Sequence, residues 1–139
     1  MKNNFLGVSK HSLENGNRLI IPSSFRDFLA PEFILFKSPD SCLFVYELEN
    51  FNELLEQLNE ITDTPEGRTM ARNFTRAAKK CSLDKQGRFT IPADYLEFAG
   101  LKDVVYLTGA GNKLEIWSEE DYLAQEEAAS TSMYPKIRY

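Results

Sequence analysis

Short apolar runs separated by turn residues recur along the chain, and two of them, Leu19-Ile20-Ile21-Pro22 and Phe89-Thr90-Ile91-Pro92, end on the same proline. β-Branched and aromatic residues in runs of this length predict strands. A proline that cannot extend a ladder but fits the first turn of a helix predicts that each strand closes where a short helix opens. Phe25 and Phe28, or Tyr95 and Phe98, stand three residues apart and so plug that helix into the core from one side. Pro31 stops the first short helix and Gly100 the second. Strand pairs follow: 33–36 with 43–46 across Pro39-Asp40-Ser41, and 104–107 with 114–117 across Gly109-Ala110-Gly111-Asn112.

The period then changes. Phe51, Leu54, Leu55, Leu58 and Ile61 repeat at helical spacing and predict a helix with one apolar stripe, Asn50 and Glu53 forming its capping pair. Thr64-Pro65 opens a second helix, proline in its first turn, that runs to about Ala78 and sets Arg68, Arg72 and Arg76 on one face. Residues 128–139, AASTSMYPKIRY, carry no period and read as a tail.

The chain also contains itself once. The segments beginning at Ser12 and Ser82 align at an offset of 70, which sets Glu14 on Asp84, Arg18 on Arg88, Pro22 on Pro92 and Phe25 on Tyr95. After one inserted residue the match resumes, Leu43 on Leu114, Val45 on Ile116, Tyr46 on Trp117 and Phe51 on Tyr122. Each copy therefore reads strand, turn, strand, short helix, strand, turn, strand, longer helix. The organisation expected is a first repeat over 5–51, a helical connector over 52–78, a second repeat over 79–123 and a tail over 124–139. Halves of about 60 residues bury too little surface alone, so the two are expected to share one core as an intrachain pseudo-dimer.

A chain of 139 residues with 42% hydrophobic and 27% charged positions has the composition of one globular domain. Cys42 and Cys81 lie far apart without a CxxC or an adjoining His pair, so neither a disulfide framework nor a zinc site is expected. The start MKNNFLGVSK has no apolar h-region and no stretch is apolar enough to span a bilayer, so a cytoplasmic chain with no membrane partner is expected. The formal charge of -5 argues at first against nucleic acid, but its distribution does not. Between Glu66 and Arg88 seven cations (Arg68, Arg72, Arg76, Lys79, Lys80, Lys85, Arg88) face two anions, whereas 47–63 and 115–127 carry only acids. If these stretches occupy different sides, a basic face can meet phosphate despite the acidic total; otherwise each run is only a solvated surface.

The candidate chemistry lies in the duplicated turns. An acid and an arginine four residues later recur, Glu14 with Arg18 and Asp84 with Arg88, around Asn15-Gly16-Asn17 and Gln86-Gly87, residues that tolerate positive φ. Two readings stand together: the carboxylate caps turn amides and pairs with the arginine to close a hairpin, and it orients a guanidinium whose remaining donors point outward at a phosphate or at guanine O6 and N7. Glu14, Asp84, Gly16 and Gly87 are then the arginine-orienting residues. His11 reads as a spectator more readily than as a base reader.

These residues match a family. LDKQGRFTIP (83–92) with GNKLEIW (111–117), and the more divergent LENGNRLIIP (13–22), resemble the MraZ family, bacterial regulators built from two AbrB-like (SpoVT-AbrB, swapped-hairpin) repeats; the resemblance runs from about Phe5 to Leu123. It implies an α+β fold of duplicated swapped-hairpin repeats with a double-split β-barrel-like core and flanking helices. It also implies a homo-oligomeric ring that binds double-stranded DNA at short direct G-rich repeats in the promoter of the cell division and cell-wall gene cluster, its own gene included, at the nucleoid. The family's DxxxR signature falls on Asp84 and Arg88, and its Arg on Arg18; Arg72 also stands where the family tends to have Arg. Lys85 and Lys10 complete the candidate DNA-contact set of Arg18, Arg88, Arg72, Lys85 and Lys10. The first copy departs from the pattern: Glu14 is one methylene longer than Asp, Gly16 replaces Lys, and Asn17 replaces Gly.

No Ser/Cys/His set or paired carboxylate suggests catalysis, and Gly109-Ala110-Gly111-Asn112 lies between two strands, so it is a turn and not a phosphate loop. No enzyme activity, cofactor, metal or small-molecule substrate is expected. The alternative function is an AbrB-like antitoxin or protein-interaction module, which binds a partner protein; that class goes with a single repeat and a long tail.

Overall fold

The computed structural model describes residues 4–129 and 133–139, so part of the expected tail, 130–132, and residues 1–3 lie outside the described residues. The elements are β1 (Val8–Ser12), β2 (Arg18–Ile20), α1 (Ser23–Leu29), β3 (Glu32–Lys37), β4 (Leu43–Glu47), α2 (Leu48–Leu58), α3 (Pro65–Arg76), β5 (Ala78–Ser82), β6 (Arg88–Thr90), α4 (Ala93–Ala99), β7 (Val104–Gly109), β8 (Leu114–Ser118) and α5 (Glu119–Ala128), with a short 3-10 turn at Asn59–Ile61. The class is α+β with antiparallel sheets, and the strand–helix order is the same in both copies.

Strand pairing interleaves the copies. A six-stranded sheet runs β1-β7-β8-β4-β3-β5, and β2 pairs only with β6. Thus β1 of the first copy adds to β7 of the second, while β5 of the second adds to β3 of the first. The expected hairpins across the two Arg turns are absent among the described residues. Only the Glu14–Arg18 bridge links β1 to β2, and each turn instead carries the chain from one sheet into the other. The large sheet ends at β1 and β5 and does not close into a barrel. Register also refines the repeat: Val8 pairs with Thr108 and Ala78 with Phe36, so Phe33 corresponds to Val105, and the second copy has two extra residues before β7 and one fewer in the following turn.

One core lies between the two sheets and belongs to both copies. Leu19, Ile21, Phe33, Leu35, Leu43 and Val45 from the first meet Phe89, Ile91, Val105, Leu107, Leu114 and Ile116 from the second, with Phe33 edge-on to Phe89 at 5.0 Å. Neither half could bury these residues alone. The opposite face of β3 and β4 is covered as well, Ile34, Phe36, Phe44 and Tyr46 packing under Phe51 of α2 and Phe74 of α3. That explains why these strands read as unbroken apolar runs, each side chain being buried on one face or the other. On β7 the outer face carries Tyr106, stacked on Tyr122 of α5 at 4.0 Å.

Four local expectations change. Asn50 does not cap α2, which begins earlier, at Leu48; its buried amide donates instead to the Asn112 carbonyl at 3.0 Å, tying α2 to the β7–β8 turn. The helix opened by Pro65 starts as read, and the Thr64 hydroxyl caps it by accepting from the Gly67 amide, but it stops at Arg76 because Ala78 already pairs with Phe36 in the sheet. Phe98 is 40% exposed rather than plugged in, whereas Phe28 sits edge-on against buried Phe5 at 5.3 Å. The acidic helix α2 and the basic helix α3 are neighbours, Phe51 stacking on Phe74, so charge is segregated helix by helix and not onto opposite sides. Gly100 ends α4 in the left-handed region, as its position predicts.

Candidate nucleic-acid interface

The two Arg turns, 70 residues apart in sequence, are neighbours in space because β2 and β6 pair with each other. Arg18 lies opposite Thr90 and Arg88 opposite Ile20. Two further bonds fix the arrangement symmetrically: the Ile21 amide donates to the Gly87 carbonyl at 2.8 Å, and the Ile91 amide donates to the Asn17 carbonyl at 3.0 Å. Each turn thus holds the other copy's strand end. Gly16, Asn17 and Gly87 all have positive φ, as a tight reversal into a second sheet requires.

Within this shared frame the two turns differ. In the second, Asp84 curls back on its own loop, Oδ1 accepting from the amides of Gln86 and Arg88 at 2.9 Å each and Oδ2 from Arg88 Nε at 3.0 Å. These contacts, the Arg88 amide foremost, hold the Asp84 carboxyl below its ordinary range, and Asp84 together with Glu14 raises Arg88 above its own. In the first turn the expected Glu14–Arg18 ion pair does not form. Glu14 reaches across to the other copy, its Oε1 accepting from Arg88 Nη1 at 3.1 Å. The turns differ in backbone as well as in side-chain length: Gly16 has positive φ where its counterpart Gln86 does not, and the Arg18 amide, whose counterpart donates to Asp84 Oδ1, donates to the Glu14 carbonyl at 3.3 Å, so the longer Glu14 carboxylate reaches the neighbouring arginine instead.

Arg88 is consequently clamped between two carboxylates and its side chain is only 22% exposed. Arg18 makes one side-chain bond, Nε to the Asn15 carbonyl at 3.0 Å, and its Nη1 and Nη2 have no partner among the described residues. That half-exposed end of the guanidinium keeps the planar pair of donors suited to a bidentate acceptor.

The remaining candidates spread out. Lys85 is exposed in the second turn. Lys10 points to the helical side of the sheet, 3.6 Å from Glu119 and over Tyr106. Arg72 is exposed on α3, separated from the turn by the whole of β5, whose edge also carries exposed Lys79 and Lys80. His11 shares a hydrogen bond with Ser9 and is shifted down by burial. Cys42 and Cys81 are free thiols, Cys42 pushed up to about 12 by burial. Among the described residues no group of three acidic, His or Cys side chains could hold a metal, and no helix is long and apolar enough to cross a membrane.

Sequence reasoning missed Arg26. Its Nε donates to the Ile21 carbonyl at 2.6 Å and its guanidinium lies flat against Gly87, where a Cβ would collide with it. The signal was present: Arg26 stands opposite Leu96 in the repeat, a cation where the second copy has an apolar residue.

Comparison with known proteins agrees with this duplicated architecture. The family described as "MraZ protein, putative antitoxin-like" matches twice, over residues 5–73 and 74–136. Proteins named Transcriptional regulator MraZ are similar along most of their length: that of Caldicellulosiruptor bescii is 40% identical over 86% of this chain and 85% of its own, that of Desulfitobacterium hafniense strain Y51 41% over 92% of both, and that of Acetivibrio thermocellus 37% over 96% of both. Named members of the family are transcriptional regulators, not enzymes. With both copies of the repeat matched across nearly the whole chain, the protein belongs to the MraZ family.

Proposed function

We propose that this protein is a sequence-specific double-stranded DNA-binding transcriptional regulator, and that the paired Arg turns are its contact surface. The observation that carries the reading is the bond from Arg88 Nη1 to Glu14, which joins the turns of both copies while the terminal donors of Arg18 remain unengaged. Arg18 is the principal base or phosphate contact. Arg88 and Lys85 contribute from the second turn, Glu14, Asp84, Gly16 and Gly87 shape the surface, and Lys10 and Arg72 extend it only where another copy or a bent duplex brings DNA to them. The reciprocal exchange of β1 and β5 supports a swapped-hairpin, split-barrel-like reading of the repeats at 5–51 and 79–123, with 52–78 as connector and 124–139 as tail.

The targets proposed are short direct G-rich repeats in the promoter of the division and cell-wall gene cluster, its own gene included, bound in the cytoplasm at the nucleoid. One chain offers a single small contact surface, too little for tight binding at physiological salt, so a homo-oligomeric ring supplies the rest through effective concentration. Rotational symmetry fits direct repeats, as a two-fold dimer fits palindromes. The test is duplex affinity against salt: each phosphate neutralised adds roughly -0.9 to the slope of log K on log salt. A steep slope is expected, and a flat one overturns the reading. The family description favours one further reading, an antitoxin-like module binding a partner protein; a pull-down beside the gel shift separates the two.

A further inference from the structure

The Glu14–Arg88 bond joins a residue of the first copy to the arginine of the second, a contact that the repeat pattern does not contain. Asp84 makes no such bond to Arg18, and Glu14 makes none to its own turn amides. The bond spans 74 residues and is part-buried, with Glu14 35% and Arg88 22% exposed at the side chain. An incoming phosphate or guanine edge must therefore compete with a carboxylate for Arg88 Nη1, whereas at the Nη1 and Nη2 of Arg18 it meets no competitor among the described residues.

We propose that Glu14 is a positioning residue that restrains Arg88, so that each chain presents one free DNA reader, Arg18, and one held reader that engages only when DNA displaces the Glu14 carboxylate. The inference rests on the DNA-binding reading above. Its physical content is a competition of anions. Glu14 sits against the guanidinium in the unbound protein and repels the phosphate that would replace it, which weakens binding and admits Arg88 to a contact only on duplexes that also satisfy Arg18. The divergence of the first turn is then functional: Asp at this position is one methylene short of Arg88 Nη1 and leaves Arg88 with one carboxylate partner instead of two.

The experiment measures affinity and salt slope on a duplex spanning the promoter of the protein's own gene and on an unrelated duplex, for wild type, Glu14→Asp, Glu14→Gln, Arg88→Gln and the Glu14→Gln/Arg88→Gln double variant, with melting curves for each. Glu14→Asp keeps the charge and shortens the reach, so it separates the contact from the general field. Both Glu14 variants are expected to bind about two- to fivefold tighter per contact, the scale of one partly exposed ion pair that no longer has to be broken. Glu14→Gln should steepen the salt slope by up to about one phosphate's worth. Discrimination between the two duplexes should fall, and the gain should vanish in the Arg88→Gln background. A Glu14→Asp protein that folds and binds like wild type overturns the inference, as does a Glu14→Gln gain that survives the loss of Arg88. Wild-type protein that does not retain either duplex at low salt overturns the DNA-binding reading itself.

Discussion

The two Arg turns occupy equivalent places in the repeat and do different work. The second turn is closed on itself: a short carboxylate satisfies two amides and its own arginine, and Gly87 lies buried under Arg26. The first is open, its arginine held among the described residues only through Nε, its Gly16 facing open space and its acid lent to the other copy. Side-chain length at Glu14 and backbone conformation at Gly16 both contribute to the divergence. A duplication that keeps the pairing of its strands can thus turn one copy into a lock and leave the other as a reader, because side-chain length and turn conformation together decide which atoms a carboxylate can reach.

The largest effect expected from breaking this asymmetry is at Arg88. Arg88→Ala strips the shared partner from Glu14 and Asp84, leaving two adjacent carboxylates facing each other across the β2–β6 junction. Its melting temperature should fall well below those of wild type and Arg18→Ala, and a protein that melts like wild type would show that the clamp contributes nothing. Next comes Gly87→Ala, where a Cβ meets Arg26 in addition to the roughly 1–2 kcal/mol cost of a left-handed non-glycine residue. Gly16→Ala, with the same sign of φ and no atom within reach, should show the backbone cost alone. Equal losses in denaturant melts of the two would mean that Arg26 simply moves aside.

A smaller effect is expected in acid. Asp84 titrates below its ordinary value of 3.8, so its ionised form adds stability above that value, and the contribution is lost as pH falls through the lower folded-state value. Wild type should therefore lose stability below about pH 3.8 more steeply than Asp84→Asn, checked by melting across that window. The smallest effect is expected at Glu56, exposed on α2 away from both turns, where alanine should change neither melting nor duplex affinity.

Most of the architecture was legible because it is written in local chemistry. Pro22 and Pro92 mark the strand ends, Thr64-Pro65 a helix start, Gly100 a helix stop, and the offset of 70 the duplication. What the sequence did not disclose is where strands pair once they leave the turn. The apolar run Leu19-Ile20-Ile21 says that a strand packs into the core but not whether β1 or β6 lies beside it, and local pairing was the wrong choice because the other copy offers the same face. The site was legible in its residues and not in its bonds. Glu14 and Arg18 are four apart and could pair, yet the choice between Arg18 and Arg88 depends on a three-dimensional approach that no spacing encodes. Phe98 shows the same limit: its counterpart Phe28 packs edge-on against Phe5, whereas Thr75 stands at that place in the second copy.

The central claim is that the open first turn reads DNA while the closed second turn holds the frame. It is tested most directly by measuring the affinity of Arg18→Ala for a promoter duplex beside its melting temperature. The account predicts a melting temperature unchanged from wild type and a loss of about 1–3 kcal/mol of discrimination per contact, multiplied across the copies that engage the duplex. Wild-type affinity in a folded Arg18→Ala protein would contradict it.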